Sequence, residues 1–205
     1  IAAIRGIPVG QDSRSPNRHP EIADAAGLLD FIGQVRKVTG KPTGCKLVVG
    51  DPGWFDELCR EIVRGGPASA PDFITVDSAD GGTGAAPMSL LDYVGLPLQE
   101  SLPRLVDALN QHGLRERIRG IASGKLVNPG EVAWALCVGA DFVNSARGFL
   151  FALGCIQSLQ CDKNTCPAGI TTHNPHLQRG LDPTDKAERV RHYVENMRHE
   201  VEIIA

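Results

Sequence analysis

Apolar positions along the 205-residue chain switch between a helical period and short branched runs, and the switches mark out elements. Over residues 21–38, Ile22, Ala25, Ala26, Leu29, Ile32, Val35 and Val38 recur at three and four, which predicts an amphipathic helix ended by Gly40-Lys41-Pro42. Residues 45–49, rich in branched side chains and bounded by Gly50-Asp51-Pro52-Gly53, predict a buried strand. The unit then repeats. Residues 54–63 predict a helix, 72–77 a second strand, 78–100 a long Gly- and Pro-rich loop, and 102–112 a helix. A third strand is expected over 118–122, running into Ser123-Gly124. Asn128-Pro129 opens the next helix, with proline in the first turn where its missing N–H does no harm. Val132, Ala135, Leu136 and Val138 should point inward from it, and Gly139 should stop it. Residues 141–144 predict a fourth strand, and a charged helix is expected from about 184 to 204.

A helix followed by four strand–loop–helix units of parallel type is an α/β pattern. A doubly wound sheet is one solution. Half of a (β/α)₈ TIM barrel fits better, because every strand ends in a Gly- or Asp-bearing loop, as where active-site loops leave one face. A lone half-barrel would carry two open strand edges, which proteins normally avoid. The other half is therefore expected before Ile1, whose identity as the first residue suggests a piece cut from a longer protein. On this reading residues 1–205 are the C-terminal part of one barrel domain. Residues 1–20 form a loop, 21–147 the βα units, 148–180 a cysteine-rich loop and 181–205 the terminal helix.

Composition narrows the class. Hydrophobic content of 42% and charged content of 22% describe a globular chain, and a net charge of −3 offers no attraction to nucleic acid or an anionic membrane. No apolar run is long enough for a membrane span, and no signal peptide opens the chain. Half of the six cysteines lie in apolar segments, which speaks against a disulfide framework and for a reducing cytoplasm.

The other three cysteines carry the strongest chemical signal. Cys155, Cys161 and Cys166 are separated by five and four residues, with Gly154 before and Pro167 after. Short irregular spacing of this kind suits a loop around an iron–sulfur cluster. Zinc sites more often show gaps of two to four and take four ligands. Three thiolates leave one corner of a cubane without protein sulfur, so a three-iron cluster is the natural candidate. The alternative is three unconnected thiols in a polar loop. Cys45, Cys59 and Cys137 read as structural, and the histidines form no ligand pair.

Two successive strand ends, Ser123-Gly124-Lys125 and Ser145-Ala146-Arg147-Gly148, combine small residues with a cation. Barrels often hold a phosphate there, near a helix N-terminus, although two ordinary tight turns would look alike. Lys46 lies in an apolar strand, where it either faces an anionic ligand inside a barrel mouth or snorkels outward. The loop 80–87 is glycine-rich but lacks a Walker Lys-Ser/Thr ending and opens no helix as a dinucleotide fingerprint would.

Taken together, Lys46-Leu47-Val48, Asp80-Gly81-Gly82-Thr83-Gly84-Ala85 and the cysteine run ending Asn164-Thr165-Cys166-Pro167 resemble the FMN-binding synthase domain of glutamate synthase. Ser-Ala-Arg-Gly-Phe and Phe-Ala-Leu-Gly-Cys-Ile-Gln bring the chain nearest to stand-alone glutamate-synthase-like proteins, over the C-terminal half of that domain. The resemblance implies a barrel holding FMN beside a 3Fe-4S cluster. Electrons from a reductase subunit or ferredoxin would pass through the cluster to the flavin. Its hydride would reduce 2-iminoglutarate, formed from 2-oxoglutarate and ammonia, free or derived from glutamine. Cys155, Cys161 and Cys166 would ligate the cluster. Ser123, Gly124, Lys125, Ala146 and Arg147 would hold the FMN phosphate, with Asp77, Gly81 and Gly82 in the same cofactor set. Lys46 would lie near flavin and 2-oxo acid as the catalytic cation, and the loop 80–84 would close the site. Ser123-Gly124-Lys125 stands where the large glutamate synthases have Asp-Gly-Gly, and Ala146-Arg147 where they have Gly-Thr. Two other readings stay open: a flavin barrel acting on another 2-oxo or 2-hydroxy acid, and a silent electron-transfer or regulatory module. This stretch alone is expected to hold FMN weakly or not at all and to be inactive, because the flavin ring should lean on the other half of the barrel.

Overall fold

Four parallel strands form one sheet in chain order in a computed structural model that describes residues 2–12, 19–51, 53–79 and 94–205. The elements are α1 (Ala2–Arg5), α2 (Ala25–Thr39), β1 (Cys45–Val48), α3 (Trp54–Gly65), β2 (Phe73–Asp77), α4 (Leu98–Gln111), β3 (Arg119–Ser123), α5 (Pro129–Val138), β4 (Phe142–Asn144), α6 (Ala146–Leu153), α7 (Pro175–Gln178) and α8 (Pro183–Ile204). Strand order β1-β2-β3-β4 has no reversal, so the doubly wound alternative does not apply. The sheet is consistent with half of a (β/α)₈ barrel.

Its two faces differ. Ile74, Val76 and Ala122 are fully buried and join Phe55, Leu58, Ile62, Leu102, Leu105 and Leu109 of α3 and α4 in one core. On the opposite face the register aligns Lys46 with Thr75 and Asp77 with Ser123. There Val48 is 51% and Phe142 59% exposed. The runs are short and apolar because one side carries the helices, and the polar strand ends collect on the other.

Local chemistry moves several boundaries. α2 starts at Ala25 rather than near Glu21, because the Asp24 carboxylate accepts from Gly27 N at 2.8 Å and caps the helix. Val38, counted as inward, is 86% exposed in its last turn. α4 starts at Leu98, four residues before the expected 102. Glu100 N and Ser101 N donate to Pro97 O at 3.0 and 2.9 Å, and Pro103 sits early in the helix. On α5, Ala133 and Ala135 are buried while Leu136 and Cys137 are exposed, so Leu136 does not point inward and Cys137 is not a packed thiol. Residues 146–153, read as strand-end loop and cysteine loop, are the helix α6, and α7 interrupts the remainder. The stretch 1–20 likewise contains α1.

Candidate functional site

The strand ends bring three of the expected residues together. Lys46 Nζ donates to Asp77 Oδ2 at 2.7 Å, and Ser123 Oγ donates to Asp77 Oδ1 at 3.0 Å. The carboxylate thus bridges an ammonium from β1 and a hydroxyl from β3, in line across the open face. Lys46 does not snorkel toward the helices; its side chain is 63% exposed on the polar face. The pair therefore holds a lysine upright at modest stabilisation, since exposed ion pairs contribute roughly 0–1 kcal/mol.

Beyond Ser123 the backbone closes tightly. Ser78 N donates to Ser123 O at 2.7 Å, and Gly124 has φ +154°, with the position a Cβ would take only 2.2 Å from Ser78 Cβ. Glycine is required there by both conformation and space. Lys125 follows with φ +42°, uncommon for a residue with a side chain. A cleft of about 580 Å³ lies between this turn and the starts of α4 and α5, lined by Gln99, Gly124, Lys125, Asn128, Glu131 and Trp134 among others.

Two helix N-termini stand near the strand ends, and they differ. At α5 the Asn128 side chain accepts from Glu131 N at 3.0 Å. The Glu131 carboxylate in turn accepts from Val127 N and Asn128 N at 2.8 and 3.1 Å. That capping box satisfies the helix from within. At α6 the preceding Ser145 makes no side-chain cap. Its hydroxyl donates instead to Leu126 O at 2.5 Å and lies 3.1 Å from Tyr193 OH, which donates to Val127 O at 2.9 Å. Ser145 thus leaves the start of α6 without a side-chain cap, and a helix start of this kind is where a phosphate can be held. Tyr193, on α8, was hidden in the sequence within a charged helix. Gly148 makes room for it: a Cβ there would fall 1.8 Å from the Tyr193 hydroxyl.

The cysteine segment is organised by polar side chains that the cysteine spacing did not single out. Asn164 Oδ1 accepts from His173 N at 2.6 Å, and Thr172 Oγ1 donates to Asn164 O at 2.7 Å. Gln178 Nε2 donates to Thr172 O at 2.7 Å, tying α7 to the loop. Gln157, Leu159 and Asn164 all have positive φ, so three non-glycine residues between Cys155 and Cys166 adopt the left-handed conformation. Cys155 and Cys161 are partly exposed and Cys166 is buried. Cys155 Sγ accepts from Gln157 N at 3.5 Å. Burial by itself would raise the Cys166 thiol. The Thr171 N–H and hydroxyl, with the N–H groups of Ala168 and Ile170, more than reverse this and set it below its ordinary value. Among the described residues, no three His, Cys, Asp or Glu side chains group as around a single metal ion. A cluster of several irons spaces its thiolates more widely than one ion does. Gly81 and Gly82 lie outside the described residues.

Comparison with known proteins bears directly on this arrangement. The model of the conserved region in glutamate synthase matches residues 1–205. The chain belongs to the glutamate synthase family. The glutamate synthase large subunit-like protein YerD of Bacillus subtilis is 46% identical over 97% of this chain and 37% of its own length. The archaeal glutamate synthase (NADPH) of Methanocaldococcus jannaschii is 33% identical over 98% of this chain and 39% of its own. The glutamate synthase (NADPH) large chain of B. subtilis is 30% identical over 87% of this chain, which corresponds to 11% of that protein. The chain thus spans well under half the length of the relatives it matches. Among the described residues, no helix is long and apolar enough to cross a membrane.

Proposed function

We propose that this chain is the C-terminal half of a flavin- and cluster-bearing (β/α)₈ barrel, whose whole protein reductively aminates 2-oxoglutarate with ammonia, through 2-iminoglutarate, to give glutamate. When bound, FMN supplies the hydride and a 3Fe-4S cluster carries single electrons from an external donor. The observation that carries the reading is the Lys46–Asp77–Ser123 line at the ends of three adjacent strands. An ammonium held upright by a carboxylate, on a face that also presents apolar surface, suits a flat anionic cofactor and a dicarboxylate substrate.

Each residue has a role its surroundings support. Asp77 orients Lys46 and accepts from Ser123, so the lysine is held in place when a 2-oxo acid carboxylate approaches. Gly124, whose Cβ-less backbone presses against Ser78, and the start of α6 at Ala146 and Arg147, where Ser145 supplies no side-chain cap, fit the FMN phosphate, with Lys125 adding charge. Gly81 and Gly82 of the 80–84 loop complete the cofactor set on this reading. Cys155, Cys161 and Cys166 fit a cluster by their donor chemistry: soft thiolates, one of them buried and cradled by N–H groups, in a loop stitched by Asn164 and Thr172. The remaining partners are the N-terminal half of the barrel and an electron donor of reductase or ferredoxin type, in a reducing cytoplasm.

The test uses the full-length protein purified without oxygen. Absorption should show flavin, and paramagnetic resonance should show the signal of an oxidised three-iron cluster. Incubation with 2-oxoglutarate, ammonia and a chemical reductant should yield glutamate. Flavin and cluster without glutamate would move the assignment to another 2-oxo acid. A protein with neither group would overturn it.

A further inference from the structure

Two buried side-chain oxygens among the described residues make no hydrogen bond of ordinary geometry, Ser101 Oγ in α4 and Thr171 Oγ1, the latter near enough to Cys166 to help depress its thiol. Ser101 sits in the hydrophobic layer of a helix, but Thr171 does not. It follows Cys166 by five residues, and its N–H is one of those turned toward that sulfur. An unmade hydroxyl hydrogen bond in a buried place is costly, so it calls for an acceptor. The adjoining polar side chains are committed elsewhere. Thr172, the next residue, spends its hydroxyl on Asn164, and Gln178 occupies its carbonyl. The Gly169 position is closed as well: a Cβ there would lie 2.7 Å from Leu177 O, so α7 packs hard against this turn. The acceptor this turn presents is the sulfur of Cys166, toward which the neighbouring N–H groups are directed.

We infer that the Thr171 hydroxyl donates a hydrogen bond to anionic sulfur of the cluster, either Cys166 Sγ or an inorganic sulfide beside it, and so makes the cluster easier to reduce. The inference rests on the cluster reading above and assigns Thr171 a positioning and tuning role, since it is not a ligand. Its physical basis is general. Reduction adds negative charge to the cluster, and a donor aimed at its sulfur stabilises the reduced form more than the oxidised one. The Ala168, Ile170 and Thr171 N–H groups act in the same direction but belong to the backbone, and only proline, which also restricts the chain, would remove one. The hydroxyl is the one donor of the set that a single side-chain exchange can delete.

Thr171→Val keeps the branched shape and removes only that donor; Thr171→Ser keeps the donor and removes a methyl group. In the full-length protein purified without oxygen, iron per chain is measured first, then the cluster's midpoint potential by stepwise chemical reduction followed by paramagnetic resonance. Thr171→Val should shift the reduction equilibrium about three- to tenfold toward the oxidised form, tenfold being about 59 mV for one electron. Thr171→Ser should stay at the wild-type potential. Loss of iron in Thr171→Val with retention in Thr171→Ser would also support the role, because the hydroxyl is what separates the two. An unchanged potential in an iron-replete Thr171→Val protein, or equal losses of iron in both variants, would overturn it. Wild-type protein without a cluster would remove the cluster reading itself, a different result from a wild-type cluster indifferent to the hydroxyl.

Discussion

Substituting Gly148 by alanine sets two effects of opposite sign against each other. In a helix interior, Gly→Ala normally stabilises by about 0.5–1 kcal/mol, through the unfolded chain's lost freedom. At Gly148 of α6, however, the new methyl would fall 1.8 Å from Tyr193 OH, 2.5 Å from its Cζ and 2.7 Å from Ser145 Oγ. Tyr193 must then leave. Its hydrogen bond to Val127 O, at 2.9 Å, is worth about 1 kcal/mol. Its edge-on contact with Phe149, ring centres 5.4 Å apart, adds about 0.5–1.5 kcal/mol. Residual overpacking costs roughly 1–3 kcal/mol. The losses exceed the gain, and net destabilisation of about 1.5–5 kcal/mol is expected. Gly33 on α2 is the control, because nothing lies within 4 Å of its would-be Cβ. Gly33→Ala should stabilise by about 0.5–1 kcal/mol. Urea unfolding followed by far-ultraviolet circular dichroism gives both midpoints. The displaced tyrosine should also loosen the Leu126-Val127 turn and lower flavin content in the full-length protein. A Gly148→Ala midpoint equal to or above that of Gly33→Ala would refute the packing of α8 against α6.

Other outcomes follow from the same geometry. Asp77→Asn removes the charge that holds Lys46, so the full-length protein should lose at least fivefold in kcat/KM for the 2-oxo acid while far-ultraviolet dichroism stays unchanged; unaltered kinetics would separate the pair from the site. At Asp141, burial alone would raise the carboxyl, but Gly120 N–H at 2.8 Å, Arg119 at 3.0 Å and Arg115 at 2.9 Å bring it below its ordinary value. A depressed folded-state pKa means stability that is present above the unfolded carboxylate range, near pH 4, and lost as pH falls through the folded value. Asp141→Asn should therefore cost about 1–3 kcal/mol at pH 7 and flatten the acid limb of a stability–pH curve, whereas parallel curves for the two proteins would exclude the role. Burial pushes the Cys45 and Cys59 thiols up to about 11, while Cys137 is exposed. Alkylation at pH 8, read by peptide mass, should label Cys137 first of these three and Cys59 last.

Much of this protein was legible along the chain because its signals are local. Branched runs, glycine stops and the Asn128-Pro129 opening depend on a few neighbouring residues, and they marked all four strands and the helices between them. The cysteine spacing, the Lys46 anomaly and the paired small-residue turns were equally local, since each is a residue type out of place in its own segment. Where the starts of α2 and α4 slipped, a cap was responsible: Asp24 and Pro97 decide them through one or two hydrogen bonds that periodicity does not register.

What tertiary structure decided is which of those residues meet. Lys46, Asp77 and Ser123 are 31 and 46 positions apart, and only the parallel register of β1, β2 and β3 puts them on one face. The same holds for Tyr193 against Gly148 and Ser145: a tyrosine amid charges has no pattern of its own until α8 lies across α6. Thr171 is the sharpest case, an ordinary loop threonine by sequence, singled out only by a burial in which its hydroxyl makes no hydrogen bond of ordinary geometry. Residue type and spacing determine what each segment can do, because those energies are short-ranged. Long-range packing determines which capabilities are brought within a hydrogen bond of one another, and in this chain that is where the chemistry lies.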